Sequence, residues 1–189
     1  MEISDESLCQ RVADRDEAAF ELLVERYRER AYRLAWSILR DAEDARDLSQ
    51  EAFVRLYEAA ATFRRQARFS TWFYRILVNL CLDHRRKHRW WRRALTSSKP
   101  EDEPGPPLIE RQPAPSRDPL DDLGKEESMK RLWTEVDRLS PQQRAALLLQ
   151  VQEELPTAEI AVVLKCSEAT VRVHLHRALV NLRKSLGVS

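Results

Sequence analysis

The stretch from Phe63 to Arg93 combines aromatic and cationic side chains at a density that the rest of the chain does not approach. It ends in HRRKHRWWRR, where six of ten residues are Lys or Arg and two are Trp. Lys and Arg neutralise phosphates and release counterions, and exposed rings stack on unpaired bases at about 1–3 kcal/mol per base. This stretch predicts a nucleic-acid surface, with a core role for Trp72, Phe73 and Tyr74 as the alternative.

One helix would position these side chains. Ser70 is a good N-cap, and Phe69 and Tyr74 stand where a hydrophobic staple would lie. We expect the helix to run from about Thr71 to about Arg89, with an apolar stripe on one side. The stripe contains Phe73, Ile76, Leu77 and Leu80, and a second face carries Arg75, Asn79, Asp83 and Arg86.

Metal and thiol chemistry have weak signals. His84 and His88 are spaced i, i+4, as zinc ligands can be, but no third ligand or general base is evident and the surrounding basic run would repel a cation. Cys9, Cys81 and Cys166 are too far apart for a zinc or disulfide framework. We therefore predict free, buried thiols, no metal or other cofactor, no catalytic residue, no small-molecule substrate and no enzymatic activity.

Composition predicts an all-α protein, because only three of 189 residues are Gly and the apolar spacing is helical almost throughout. No apolar run approaches the ~20 residues that cross a bilayer, and the acidic start MEISDESLCQ is unlike a secretory signal. We expect a cytoplasmic protein. The net charge is only +1, yet acidic segments (41–58, 101–127) and basic segments (64–93, 172–184) are separated, which suggests different partners for different faces.

The first domain, residues 1–95, begins with a short helix and a long one. Leu8 and Val12 indicate the short helix, and Asp14 with Glu17 forms a capping-box pattern before a helix that ends near Arg40. Asp41 should cap the next helix, whose inward stripe is Ala45, Leu48, Ala52 and Leu56. Its outer face would hold Asp44, Asp47, Gln50 and Glu51 with Phe53 close by. Such a face can dock a protein, and a merely solvated face is the alternative.

The second domain, residues 126–189, follows a linker at 96–125 that we expect to be extended, since 96–124 holds seven of the nine prolines. Ser140, Pro141 and Gln143 are a strong helix start. Two further helices, broken at Lys165-Cys166 and the second capped by Ser167, fit a helix-turn-helix with basic residues on its second helix. The inside of that helix would hold Val171, Leu175, Leu179, Leu182 and Leu186. A plain αα-hairpin is the alternative.

Three motifs resemble those of the extracytoplasmic function (group 4) sigma factors of bacterial RNA polymerase. DAEDARDLSQEAFVRLY is similar to the polymerase-binding helix, FRRQARFSTWFYRILVNLCLDHRRK to the promoter-melting segment, and EIAVVLKCSEATVRVHLHRAL to the helix-turn-helix. The order and the separations make the resemblance specific. The chain departs from the family pattern at Lys165, where Gly is common, at Pro156, where Ser or Thr usually caps, and at Val173.

The resemblance implies an alternative sigma factor with three binding surfaces. The polymerase-binding surface would contain Asp44, Asp47, Gln50, Glu51 and Phe53. The strand-opening surface, which would bind and melt the minus-ten element, would contain Phe63, Arg64, Phe69, Thr71, Trp72, Arg75 and Asn79, with Arg85, Arg86 and Lys87 on phosphates. The recognition surface for the minus-thirty-five duplex would contain Ser167, Thr170, Arg172, Val173, His176 and Arg177. The implied partners are core RNA polymerase, promoter DNA as duplex and melted strand, and an anti-sigma factor.

Two other classes stay open on the residues alone. A two-domain repressor or activator would bind duplex DNA without polymerase and would need a ligand pocket or dimer interface in its first half. An RNA-binding protein would use the aromatic and basic stretch without polymerase. The acidic helix beside the basic one favours the sigma factor.

Overall fold

The computed structural model describes residues 3–64, 67–95 and 119–187. Within these ranges the chain forms eight α-helices, one 3₁₀ turn at Ala60–Thr62 and no strand, which confirms the all-α prediction. The helices are Asp5–Ala13 (α1), Glu17–Leu39 (α2), Ala42–Ala59 (α3), Phe69–Leu95 (α4), Pro119–Arg138 (α5), Pro141–Val151 (α6), Thr157–Leu164 (α7) and Glu168–Leu186 (α8). None of these helices is long and apolar enough to span a bilayer.

Side-chain caps explain most helix starts. Asp41, Ser140 and Ser167 cap α3, α6 and α8 as predicted, and Ser140 forms the full capping box with the third residue of its helix. The predicted cap of α2 was wrong. Asp16 accepts from the backbone of the first turn of α2, whereas Asp14 is the C-terminal cap of α1.

The start of α4 depends on a tertiary contact. Helix α4 begins at Phe69 and not after Ser70, so the predicted Ser70 cap was wrong. The Phe69 N–H donates to the Glu6 carboxylate of α1 at 3.1 Å, which satisfies one of the donors that a helix start leaves open. The helix also continues past the predicted end at Arg89 to Leu95.

One continuous apolar core joins the two halves of the chain. Helices α1 to α4 pack on one another, α4 also packs on α7, and α2 packs on α6. Leu23 and Leu77 of the first half and Leu149 and Ile160 of the second are fully buried in this one cluster. The halves are therefore in direct contact. A smaller cluster holds Val136, Leu139, Leu147, Ala178 and Leu182.

Most of the predicted linker, 96–125, lies outside the described residues. Its last part is helical and not extended, because α5 begins at Pro119 and not at Glu126. Proline suits a first helical position, since its missing N–H has no partner there in any case. The domain limits themselves, 1–95 and 126–189, stay a prediction.

The turn of the helix-turn-helix uses a left-handed lysine. Lys165 ends α7 with φ 53° and ψ 46°, the region that glycine usually occupies. The next amide, at Cys166, donates to the Ala161 carbonyl at 3.1 Å. The non-glycine geometry expected for this turn was wrong, because Lys165 itself adopts the left-handed conformation that glycine usually takes. Pro156 precedes α7 without a side-chain cap.

Candidate nucleic-acid and polymerase interfaces

The acidic face of α3 points outward. Asp47 and Gln50 are exposed, and Asp44 and Glu51 are half-buried. Glu51 pairs with Arg55 one turn later at 2.8 Å. Helix α3 packs on α1, α2, α4 and the 3₁₀ turn. Asp44 contacts His84 of α4, whereas Asp47 and Gln50 are the most open of the four side chains. The polar part of the predicted polymerase-binding surface is accessible.

Phe53 is the exception on this surface. Its side chain is 8% exposed and its ring centroid lies 5.0 Å from that of Phe73. The prediction that Phe53 edges the acidic face was therefore wrong in its geometry. The inward stripe of α3 is wider than the predicted one, because Ser49 and Phe53 join Ala45, Ala52 and Leu56 in the interior.

His84 of α4 makes a different contact from the one that its spacing to His88 suggests. His84 Nε2 lies 2.9 Å from the Asp44 carboxylate, and the His84 and His88 rings are 5.6 Å apart. In the part of the chain that the structure describes, no three His, Cys, Asp or Glu side chains are grouped to hold a metal ion. The Asp44–His84 contact fixes one carboxylate of the α3 face against α4.

The aromatic residues at the start of α4 form a packed cluster. The ring centroids of Phe63 and Trp72 are 5.3 Å apart, and Phe69 lies 6.1 Å from each. Phe69 is fully buried and Trp72 is 7% exposed, while Phe63 is half-buried. In this conformation Trp72 is a core residue, which was the alternative interpretation for it, and Phe69 is a core residue as well. Only rearrangement would let Trp72 stack on a base.

The polar residues of the strand-opening surface are also engaged within the chain. Thr71 is fully buried, and its hydroxyl donates to the Glu159 carboxylate of α7. Arg75 and Asn79 are half-buried, and the Asn79 amide donates to the Arg75 carbonyl. Arg64 is exposed, unlike Thr71, Arg75 and Asn79.

Glu153, which sequence analysis did not single out, lies buried between the two halves. The Tyr74 hydroxyl donates to Glu153, and Arg30 Nη2 lies 2.8 Å from the same carboxylate. Burial, and then the Glu153 charge, raise the pKa of Tyr74 well above its usual value. Glu153 and Glu159 carry no local sequence signal, because each meets a helix that is far away along the chain.

The basic end of α4 divides into two environments. Arg86 and Lys87 are exposed, and Arg86 pairs with Asp83 at 2.9 Å. Arg85 is half-buried and donates to the Ile38 carbonyl at 2.6 Å, at the end of α2. Arg86 and Lys87 are thus open to a phosphate, whereas the predicted phosphate contact of Arg85 competes with a structural one.

The end of α2 attracts a second, deeply buried guanidinium. Arg144 of α6 is 1% exposed and donates to the Ile38 and Val136 carbonyls, at 3.1 Å in each case. Burial lowers the pKa of Arg144 to about 10. Unpaired carbonyls and the negative end of the helix dipole explain why cations gather here.

The recognition surface on α8 stands out from the protein. Ser167, Arg172, Val173, His176 and Arg177 are exposed, and Thr170 is half-buried. The opposite side holds the buried Val171, Leu175, Ala178 and Leu182. Leu179, predicted to lie inside, is 46% exposed. It neighbours the inward face without belonging to it, and Ala178 takes the inward position.

Arg172 and Val173 have the freedom that groove recognition requires. The Arg172 side chain is 63% exposed, and its contact with Glu168 is long at 3.4 Å. Val173 is 45% exposed. Arg can bond guanine edges and an apolar side chain can meet the thymine methyl in the major groove, so this face can contact base edges without rearrangement.

Family models match both halves of the chain. Sigma-70 region 2 matches residues 23–91, which include α3 and most of α2 and α4, and sigma-70 region 4 matches residues 129–182, which include α6 and α7. These matches fall within the two predicted domains and leave the linker unmatched.

Relatives match over nearly the whole length. The RNA polymerase sigma-H factor of Pseudomonas aeruginosa is 33% identical over 184 residues, covering 96% of this chain and 93% of that protein. SigW of Bacillus subtilis, an ECF RNA polymerase sigma factor, is 29% identical over 98% of each chain. The ECF sigma factor SigM of Mycobacterium tuberculosis is 31% identical, covering 91% of this chain and 79% of its own. The chain belongs to the extracytoplasmic function (ECF) family of sigma factors, the alternative sigma factors of bacterial RNA polymerase.

Solved structures share the fold. CnrH in complex with the cytosolic domain of CnrY matches with a TM-score of 0.69 at 21% identity, over 99% of both chains. The sigma factor RpoE of Bartonella quintana, in complex with the anti-sigma factor NepR, matches with a TM-score of 0.70 at 18% identity, over 90% of this chain and 98% of its own.

Proposed function

We propose that the chain docks on core RNA polymerase through the acidic face of α3, using Asp44, Asp47, Gln50 and Glu51. The family resemblance points to the coiled coil of the largest catalytic subunit as the contact. Four polar side chains on one outward face support this role, because charged rims set the orientation and rate of docking. Phe53 would support the face from below by packing on Phe73.

The start of α4 would open the minus-ten element and hold the melted strand. Extruding a base costs a few kcal/mol, and stacking with hydrogen bonds to its edge returns that energy. Phe63, Arg64, Phe69, Thr71, Trp72, Arg75 and Asn79 would form this surface. Arg85, Arg86 and Lys87 would hold phosphates, with Arg86 and Lys87 the more available on account of their exposure.

The α8 surface would recognise the minus-thirty-five element as duplex. Arg172, Val173, His176 and Arg177 would face the major groove, with Ser167 and Thr170 near the backbone. The observation that carries the proposed function is this exposed row on the second helix of a helix-turn-helix, in a chain whose other half matches sigma-70 region 2.

An anti-sigma factor is the expected regulator. One of the similar solved structures named above is the sigma factor RpoE bound to the anti-sigma factor NepR. The chain would act in the cytoplasm, where polymerase and promoter are, and would contribute binding rather than catalysis.

Run-off transcription tests this function. Purified bacterial core polymerase is incubated with and without the chain on a library of promoter sequences. We expect new transcripts whose templates share two short elements, and no such transcripts from core alone. A folded chain that binds duplex DNA tightly and specifically by itself, and gives neither core binding nor transcription, would instead be a repressor or activator.

A further inference from the structure

The start of α4 is covered by the second half of the chain. Among the contacts between the two halves, those of α4 with α7 are the most extensive. The covered region contains Thr71 and Tyr74, which are both fully buried. Thr71, which is proposed to receive a melted strand, therefore already has an occupant from the second half of the chain.

That occupant presents carboxylates. Glu159 of α7 accepts from the Thr71 hydroxyl with one oxygen, and its other oxygen lies 3.5 Å from Arg68 Nε. A carboxylate offers what nucleic acid would offer at this place, namely negative charge and acceptor oxygens. Glu159 and a DNA strand would compete for the same hydroxyl and the same cation.

A second carboxylate holds the next turn. The Glu153 side chain is 3% exposed and lies between the Tyr74 hydroxyl and the Arg30 guanidinium. Beside it, the Gln152 amide donates to the Ser37 hydroxyl at 3.0 Å. These contacts join α4 and α2 to the segment that follows α6. The closed arrangement, in which the second half covers the start of α4, is therefore held by polar pairs as well as by apolar packing.

The other two binding surfaces stay open in the same conformation. The recognition surface of α8 faces solvent, and α3 packs only on elements of the first half, apart from at most marginal contacts, within the described residues. Closure thus acts on one of the three surfaces.

We propose that the free chain is autoinhibited by its own second half. Glu153 and Glu159 hold the start of α4 closed, so that a melted strand binds only after the halves separate. This inference rests on the proposed strand-opening role of α4. A strand that binds only the open chain has its apparent affinity reduced by the fraction of open chain, so weakening the closure raises that affinity.

The sharpest test uses a variant for which the proposal and the simple loss of a positive charge predict opposite changes in affinity for single-stranded DNA. Arg30→Gln removes the cation from buried Glu153 and should loosen the closure. Its matched control is Arg28→Gln, an exposed residue on the same helix. Binding is measured by fluorescence anisotropy with a fluorescein-labelled, random-sequence single-stranded DNA pool, and with the same pool as duplex.

We expect Arg30→Gln to bind the single strands about fivefold more tightly than the natural chain, with duplex affinity unchanged or slightly lower. Loss of a cation alone predicts weaker binding, and Arg28→Gln should show that. Equal weakening by both variants would overturn the proposal.

A polymerase-independent measurement separates closure from function. Small-angle X-ray scattering should give a larger radius of gyration for Arg30→Gln, and for Glu159→Gln, than for the natural chain and for Glu154→Gln, an exposed neighbour of Glu153. Unchanged scattering from the first two folded variants would overturn closure even where transcription succeeds. A larger radius of gyration in these variants, without promoter-specific transcription by the natural chain, would support closure and contradict the proposed function.

Discussion

The start of α4 and the outer face of α8 are both predicted to meet promoter DNA, yet they lie in opposite environments. On α8, the Arg172 side chain is 63% exposed. On α4, Phe69 and Thr71 are fully buried and Trp72 is 7% exposed. One surface is ready to bind, whereas the other must first be uncovered.

The difference follows from what each surface has to do. Reading base edges in an intact groove requires side chains that project from a rigid helix. Holding an unpaired base requires aromatic rings, and apolar rings left exposed in the free protein favour unwanted association. Changes on α4 should therefore alter both stability and DNA binding, while changes on α8 should alter DNA binding alone.

Phe69→Ala should have the largest effect on stability. The ring is fully buried among Tyr27, Phe73 and Trp72, and truncation of a buried Phe costs about 3–5 kcal/mol. Urea unfolding followed by circular dichroism measures the loss. Val173→Ala on α8 is the comparison and should change the free energy of unfolding by less than about 0.5 kcal/mol. Similar losses of stability from both variants would contradict the difference between the buried start of α4 and the exposed face of α8.

Arg144→Met should be next, at about 1–3 kcal/mol, because the change removes a buried guanidinium that donates to the Ile38, Val136 and Asp137 carbonyls. Arg85 and the Leu139 N–H still donate to the first two carbonyls, so the loss is concentrated at Asp137. The control is Arg138→Met, whose side chain is 71% exposed and pairs with Glu135, and which should cost less than about 1 kcal/mol. Thermal unfolding compares the two, and an Arg144 variant as stable as its control would count against the buried network.

Arg172→Ala should leave stability unchanged and weaken recognition of the upstream element only. One well-placed bidentate contact contributes about 1–3 kcal/mol of discrimination against a wrong base. Transcription from promoter variants with single changes in the upstream element measures this loss. Arg183→Ala, another exposed cation further along α8, is the control. An unchanged preference in Arg172→Ala would exclude this side chain from the recognition surface.

Alkaline pH should lower the free energy of unfolding through two buried thiols in α1 and α4. Burial raises the pKa of Cys81 in α4 to about 12 and that of Cys9 in α1 to about 11, from 9.0. The unfolded chain releases these protons first, so stability is complete below pH 9 and falls as pH rises toward the folded-state values. Each thiol should contribute about 1 kcal/mol of this loss between pH 9 and 10.

Thiol labelling gives the matching readout. Cys166, beside α8, is half-buried, whereas Cys9 and Cys81 are buried. We expect Cys166 to react readily with a disulfide reagent in the folded chain and the other two to react only as the chain unfolds. Equal reaction rates for all three thiols would contradict the burial of Cys9 and Cys81.

Local chemistry made much of this fold predictable. Asp41, Ser140 and Ser167 were identified as caps because a cap is recognised from residues a few positions apart. The start of α4 was not, because its cap is Glu6 of another helix. Phe53 and Leu179 were misplaced because apolar spacing alone does not fix how wide the buried stripe of a helix is.

The residues of the candidate site could be predicted from the sequence, but the contacts that cover some of them could not. The aromatic and basic residues of α4 and the exposed row on α8 follow from residue type and spacing. Glu153 and Glu159 could not be found in this way, since their partners Tyr74 and Thr71 lie on another helix far away along the chain. Contacts between distant segments depend on packing that no local pattern encodes.

Permanganate footprinting of polymerase bound with Trp72→Ala tests the division between the two surfaces most directly. Permanganate reports unpaired thymines at the minus-ten element, and nuclease protection of the upstream element in the same sample reports duplex binding and a folded chain. We predict strong loss of permanganate reactivity with upstream protection retained. Equal loss of both signals, or full reactivity in the variant, would contradict a separate strand-opening role for the start of α4.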